Sequence, residues 1–239
     1  MSALNALDDD LAEQLLAVQE INTALVLDGD RTLGPYDTGR LVGGRVGVND
    51  DIRSVFQSQG YCTPAFRDVA AIWGAVPTVE YQRAVAAVGS EVQLHLEWLR
   101  LLPGLRGKVQ VVVVTSGIPQ IWRRVLMRHG LDHIPVVGGC RRGADDYVVC
   151  PGGKAAVVRV LQRRGMKVGA AGDSEIDLPM LLAADAGFVV PDHRGSPRLF
   201  SALETQAHRL RHLAFDDRDF GVVRVGVDEL KTELLEELC

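Results

Sequence analysis

The chain has 239 residues, 47% hydrophobic and 24% charged. That is room for one large domain, or a core with a modest insert, and it excludes a disordered chain. Its 26 basic against 31 acidic residues give a formal net charge of −5, without the basic excess that nucleic acid or an anionic membrane surface would call for. The apolar run Val109–Val114 is broken by Gln110, and nothing approaches the length of a membrane span.

Residues 4–20 place Leu11, Leu15 and Leu16, with Ile21 beyond, near helical spacing. Asp8, Asp9 and Asp10 open that helix, where carboxylates favour the positive end of its dipole. The acidic start lacks the basic flank and apolar stretch of a secretory signal, so the expected location is cytoplasmic. Ala24–Leu27 is a short apolar run that ends in Asp28-Gly29-Asp30. Residues 37–105 show helical stretches, including Val79–Val88 and Glu91–Leu102, with Pro103-Gly104 closing them; this segment reads as a helical insert. Val111–Val114 then runs into Thr115-Ser116-Gly117, Lys167–Ala171 into Gly172-Asp173-Ser174, and Gly187–Val190 into Pro191-Asp192. Helical patterns at Ile121–His129 and Lys154–Arg164 separate these runs. The tail, 196–239, reads as a helix over 199–213, a strand at Val222–Val225 and a final amphipathic helix. Apolar strand, polar tip and helix in repetition predict an α/β fold on a parallel sheet, with every tip at the carboxyl edge where ligands collect.

Asp28 and Asp30 stand one residue apart at such a tip. One carboxylate can attack an electrophile while the other donates and later removes a proton. Gly29 between them is expected to begin the turn that ends the strand and brings both to one pocket. Thr115 offers a hydroxyl and nearby N–H groups to an anion. Lys154, in Gly152-Gly153-Lys154 at a helix start, offers a cation to a phosphate or to the attacking carboxylate. Asp173 and Asp177 add hard oxygen ligands that suit Mg²⁺ far better than zinc.

DGDRT, VVVVTSG, a lone lysine and GDSEID, in that order, resemble the haloacid dehalogenase-like (HAD) superfamily over roughly residues 21–192. The resemblance implies a Rossmann-like core of residues 1–36 and 106–239 and a small helical, C1-type cap of residues 37–105, as in the phosphoserine-phosphatase-like branch. It assigns Asp28 as the nucleophile that becomes an aspartyl-phosphate, Asp30 as general acid/base, Thr115 as the hydroxyl holding the phosphoryl group and Lys154 as the stabilising cation. Mg²⁺ is expected on Asp28, Asp30 (through its carbonyl), Asp173 and Asp177, the last orienting metal-bound water. Substrate-side candidates are Thr32, which supports the Asp30 loop, Asp37, Ser116, Gly117 and Arg67. Asp37 stands where phosphoserine phosphatases carry a glutamate that reads the amine; Arg53, Arg67 and Arg83 are candidates for the carboxylate. Thr-Ser-Gly-Ile replaces their Ser-Gly-Gly-Phe, and Ile176 replaces an asparagine. These departures bear on the substrate and leave phosphatase chemistry intact. The expected activity is Mg²⁺-dependent hydrolysis of a small phosphomonoester, with no nucleic-acid or membrane partner; the alternatives are a phosphotransferase or mutase, or a catalytically weak binding module.

Other signals are weaker. Gly152-Gly153-Lys154 is not a nucleotide P-loop, because Ala155 and Val148 occupy two defining positions. Cys62, Cys140, Cys150 and Cys239 have no paired spacing for a disulfide framework or zinc knuckle. His129/His133 and His208/His212 stand four apart without the carboxylate of a zinc helix. Trp73 and Trp98 fit cap packing or a substrate cavity. The stripe Leu230, Leu234, Leu235, Leu238 fits either the chain's own sheet or a second copy in a homodimer.

Overall fold

The computed structural model describes residues 4–190, 199, 201, 205, 210–213 and 224–237. Seven parallel strands form the main sheet in the order β4-β3-β2-β6-β7-β8-β9. Its centre is β2 (Thr23–Leu27), flanked by β3 (Gln110–Thr115) and β6 (Lys167–Gly172). All five residues of β2 are buried, as a strand covered on both faces requires, and this explains its unbroken apolar run. Leu27 lies opposite Val113 on one side and Ala171 on the other, so three tips open side by side. Beyond them lie β4 (Val136–Gly138), β7 (Ala186–Val189), β8 (Leu210–Leu213) and β9 (Arg224–Val225).

The N-terminal helix is shorter than its spacing suggested. Helix α1 spans Asp9–Leu15, while β1 (Asn5–Ala6) pairs with β5 (Tyr147–Val148) as a separate two-stranded ribbon. Asp8 caps α1 by accepting from Leu11 N at 2.9 Å, and Asp9 pairs with Arg159 and Arg163 of α8 (Pro151–Arg163). The acidic opening is thus used in a cap and an inter-helix ion pair.

Between β2 and β3 the chain forms α2 (Thr38–Val46), α3 (Asn49–Gln59), α4 (Thr63–Ala75), α5 (Thr78–Glu91) and α6 (Leu96–Leu105). The stretch expected as one helix over Glu91–Leu102 is interrupted at Val92–His95, where His95 N donates to Leu33 O at 2.8 Å. Pro103 does not end α6; burial of Leu101, Leu102 and Leu105 carries the helix past it. Val42, Val69, Trp73, Val85 and Val88 share one apolar cluster with Leu25, Leu27 and Val113, so these helices pack on the sheet's own core. Buried Arg141 ties the two parts together, donating to Trp73 O at 3.2 Å and to Val76 O at 2.9 Å.

Helices α7 (Pro119–Arg128), α8 and α9 (Leu178–Ala183) complete the α/β alternation. In the tail, Leu210–Leu213 is a strand and not the end of a helix: Leu210 pairs beside Gly187, and the sheet edge satisfies backbone groups that a short helical pattern would otherwise claim. Leu199, Ser201 and Thr205 are helical; Pro191-Asp192, His208, Val222, Leu238 and Cys239 lie outside the described residues. Helix α10 (Val227–Thr232) runs into a π-helical segment, Glu233–Glu237, and its Leu230 and Leu234 are buried against the core that holds Leu25. Leu230, Leu234 and Leu235 therefore pack on their own chain. No described helix is long and apolar enough to cross a membrane.

Candidate active site

Strand β2 delivers Asp28 to the sheet edge, where Asp28 N still donates to Ala171 O at 2.9 Å. The chain then turns: Gly29 O accepts from Thr32 N at 3.3 Å and Leu33 N at 2.9 Å, with Arg31 in the left-handed region at φ 60°. The expected turn thus begins at Gly29. The residue must be glycine because a Cβ there would sit 2.5 Å from Trp122 Nε1. The turn sets Asp30 under a convergence of donors. Its Oδ1 accepts from Thr38 Oγ1 at 2.7 Å and Trp122 Nε1 at 2.9 Å; its Oδ2 accepts from Thr38 N at 2.7 Å and Gly39 N at 3.4 Å. Burial and then the Asp37 charge push the Asp30 carboxyl above the usual range, while the Thr38 and Trp122 bonds pull the other way.

Lys154 sits in the first turn of α8, fully buried. Its Nζ donates to Asp28 Oδ1 and, at 2.5 Å, to Asp177 Oδ1. Asp177 Oδ2 accepts from Ser174 Oγ at 2.8 Å, Ser174 N at 3.0 Å and Asp173 N at 3.2 Å. Both Asp177 oxygens are therefore engaged in shaping the loop after β6. Gly172 allows this closure, since a Cβ there would lie 2.5 Å from Asp177 Cβ.

Asp28, Asp173 and Asp177 present carboxylate oxygens within 4.8 Å of one another. Burial first, then the neighbouring carboxylates, push Asp28 and Asp173 upward. Burial alone would lower Lys154, but Asp177 and Asp28 together outweigh it and hold the ammonium charged. Three buried carboxylates face one buried lysine, with Arg31 Nη1 3.7 Å from Asp173. This surplus of hard oxygen donors fits a divalent cation held by Asp28 and Asp173. The Asp30 carboxylate, turned toward Thr38 and Trp122, is outside that group. A cavity of about 300 Å³ opens over these residues, bounded by the sheet edge on one side and by α2–α4 on the other.

No family model matches the chain, and neither does any curated protein. Solved structures do. A HAD family hydrolase from Salmonella enterica subsp. enterica serovar Typhi superposes with a TM-score of 0.63 at 18% identity, over 92% of this chain and 72% of that one. The chain has the HAD-like fold. A phosphoserine phosphatase from T. onnurineus matches with a TM-score of 0.55 at 16% identity, over 90% of this chain and 98% of that one. A phospho-aspartyl intermediate analogue of phosphoserine phosphatase matches with a TM-score of 0.56 at 15% identity, over 72% and 88%.

Within this HAD-like fold, Asp28, Asp30, Asp37, Thr115, Ser116, Gly117, Lys154 and Asp173 all line the one cavity. Thr115 Oγ1 accepts from Gly117 N at 3.0 Å, and buried Ser116 Oγ has no partner. Thr32 lies beneath the loop, its carbonyl accepting from Trp98 Nε1 at 2.7 Å, and does not reach the cavity. Arg67 is directed elsewhere: its Nε donates to Leu4 O at 2.7 Å. Arg53 and Trp73 line the cavity; Arg83 and Trp98 do not. Sequence reasoning missed Thr38, Trp122 and Arg31. Asp37-Thr38 is a helix-start signature, with Asp37 Oδ1 accepting from Arg40 N at 2.9 Å, and could have placed Thr38 beside the loop. Nothing local to Trp122 announces its bond to Asp30.

Proposed function

We propose that the protein is a Mg²⁺-dependent phosphomonoesterase acting on a small phosphorylated metabolite through an aspartyl-phosphate, with residues 37–105 as the cap over a core of residues 1–36 and 106–239. The observation that carries this reading is Lys154 Nζ held between Asp28 and Asp177 in the cavity that Asp30 and Thr115 also line. Phosphatases among the solved structures of this fold support it.

The Asp28 carboxylate attacks phosphorus, the ester P–O bond breaks, and Asp30 gives its proton to the departing alcohol oxygen. Asp30 then takes a proton from water as that water attacks the aspartyl-phosphate. Phosphate leaves, and Asp28 returns as a carboxylate. The raised Asp30 carboxyl suits the first of these duties, since a proton must be present to give. Lys154 fixes Asp28 and offsets charge gathering on the phosphoryl oxygens. Thr115 lines the cavity beside Asp28, where its hydroxyl would hold the transferred group. Mg²⁺ on Asp28 and Asp173 would supply further neutralisation of phosphoryl charge. Asp177 orients Lys154 and the Asp173 loop. Enclosure by α2–α4 limits water at the first step.

The test is phosphate release from a broad panel of monoesters, with and without Mg²⁺, using native protein and Asp28→Asn. Mg²⁺-dependent release that the variant lacks is the expected result. Retained release in the variant would overturn the nucleophile. No release from any ester would overturn the phosphatase reading in favour of a transferase or binding module.

A further inference from the structure

We infer that the substrate is the phosphate monoester of a hydrophobic alcohol, an inference that rests on the phosphatase reading above. The wall facing Asp28 across the cavity comes from α3 and α4 and presents Ile52, Phe56, Phe66, Val69 and Trp73, with Tyr61 at the mouth. Phe56 is the hub of an aromatic cluster, its ring centroid 5.2 Å from Phe66 and 5.0 Å from Tyr61. Phe66, Val69 and Trp73 are each at most 6% exposed, yet they border open space contiguous with the phosphoryl site. Apolar side chains that pack together and still border an open cavity are suited to an apolar guest.

Asp37 and Asn49 on the same side are engaged within the protein, and Arg40 and Arg53 also line the cavity. Asp37, the acid expected to read a substrate amine, accepts from Arg31 Nη2 at 2.6 Å through Oδ2 and from Arg40 N at 2.9 Å through Oδ1. Asn49 Nδ2 donates to Arg40 O at 3.0 Å, and Arg53 pairs with Asp50 at 3.4 Å. Among the described residues of 37–105, Asp37 is the one carboxylate that lines the cavity, and Arg31 pairs with it. An ammonium such as that of phosphoserine would find no free counter-charge, and a polyol would bury hydroxyls against rings that cannot accept them. A hydrophobic alcohol loses nothing there and removes apolar surface from water. The volume of about 300 Å³ matches the lower end of small-molecule sites, enough for a phosphate with a ring or a short branched chain.

The experiment uses esters whose leaving alcohols have similar acidity: ethyl, hexyl and 2-phenylethyl phosphate, with glycerol phosphate and phosphoserine as polar arms and nitrophenyl phosphate as the readout of phosphatase activity itself. Hexyl or phenylethyl phosphate should exceed ethyl phosphate in kcat/KM by roughly ten- to a hundredfold, the effect of burying one such side group. The polar esters should fall at or below ethyl phosphate. The hexyl and phenylethyl arms separate an aliphatic from an aromatic alcohol. Phe56→Ala should compress the hydrophobic-to-ethyl ratio at least threefold. Hydrolysis of nitrophenyl phosphate with no hydrophobic preference, or with phosphoserine or glycerol phosphate preferred, overturns this inference and leaves the phosphatase reading standing. If no ester is hydrolysed, the phosphatase reading falls, and calorimetric binding of hexyl- against ethylphosphonate to the native protein decides the cavity. Tighter hexylphosphonate binding by tenfold or more supports an apolar guest; equal binding overturns it.

Discussion

Trp122 of α7 donates its indole N–H to Asp30 Oδ1 at 2.9 Å, and the same ring covers the backbone at Gly29. One side chain from behind the sheet edge thus fixes both the turn and the carboxylate the turn presents. Trp122→Phe keeps an aromatic ring and deletes the donor. With Asp30 as the acid, loss of one such bond should lower kcat/KM for alkyl phosphates about fivefold, with a smaller loss for nitrophenyl phosphate, whose leaving group needs no proton. Equal losses on both esters would confine Trp122 to packing.

Gly29→Ala tests the same contact from the other side. A Cβ 2.5 Å from Trp122 Nε1 must displace the ring or the turn, and overpacking of this kind costs about 1–3 kcal/mol. Trp122→Leu in the same chain should recover part of that loss, because the two sites share one contact. Urea denaturation of the two single variants and the double variant measures this; strict additivity would contradict the contact.

Lys154→Met leaves Asp28 and Asp177 buried without their shared cation. Breaking a buried pair in this way costs about 3–5 kcal/mol. The expected result, in denaturant titration with a chelator present, is a lowered midpoint with an unchanged slope, together with loss of phosphate release. An unchanged midpoint would show that the ion pair does not support the native state.

Asp9 supplies a pH-dependent test remote from the cavity. The hydrogen bond from Arg159, aided by Arg163, holds its carboxyl at about 2, below the ordinary 3.8. A carboxyl depressed in the folded state adds stability that is complete above the unfolded value and is lost as pH falls toward about 2. The pair is near the surface and screened by solvent, so Asp9→Asn should cost no more than about 1 kcal/mol at neutral pH. That cost should shrink below about pH 4 and in high salt. A cost independent of pH would point to lost packing between α1 and α8.

Much of this arrangement was legible along the chain. Ala24–Leu27, Val111–Val114 and Val168–Ala171 are covered on both faces, so burial wrote itself into the sequence as apolar runs, and each run ends at the carboxyl edge of the sheet. The order of tips then places Asp28, Thr115 and Asp173 at one edge. Gly29 between the two carboxylates marked where the strand gives way to a turn. Arg67 illustrates the limit. As an arginine of the helical insert it was one candidate for a substrate carboxylate, but its direction was set by a carbonyl at Leu4, 63 residues away in sequence.

The sequence by itself determined the parallel α/β pattern, the helical character of residues 37–105 and which residue types stand at the strand ends, because these follow from local periodicity and from chain reversals a few residues long. Only the tertiary structure decided that Trp122 holds Asp30, that Arg31 neutralises Asp37, and that Phe56, Phe66 and Trp73 border the cavity as well as the core. Each of those outcomes depends on which surfaces meet across the fold, and hydrophobicity marks a side chain as leaving water without specifying what it will touch.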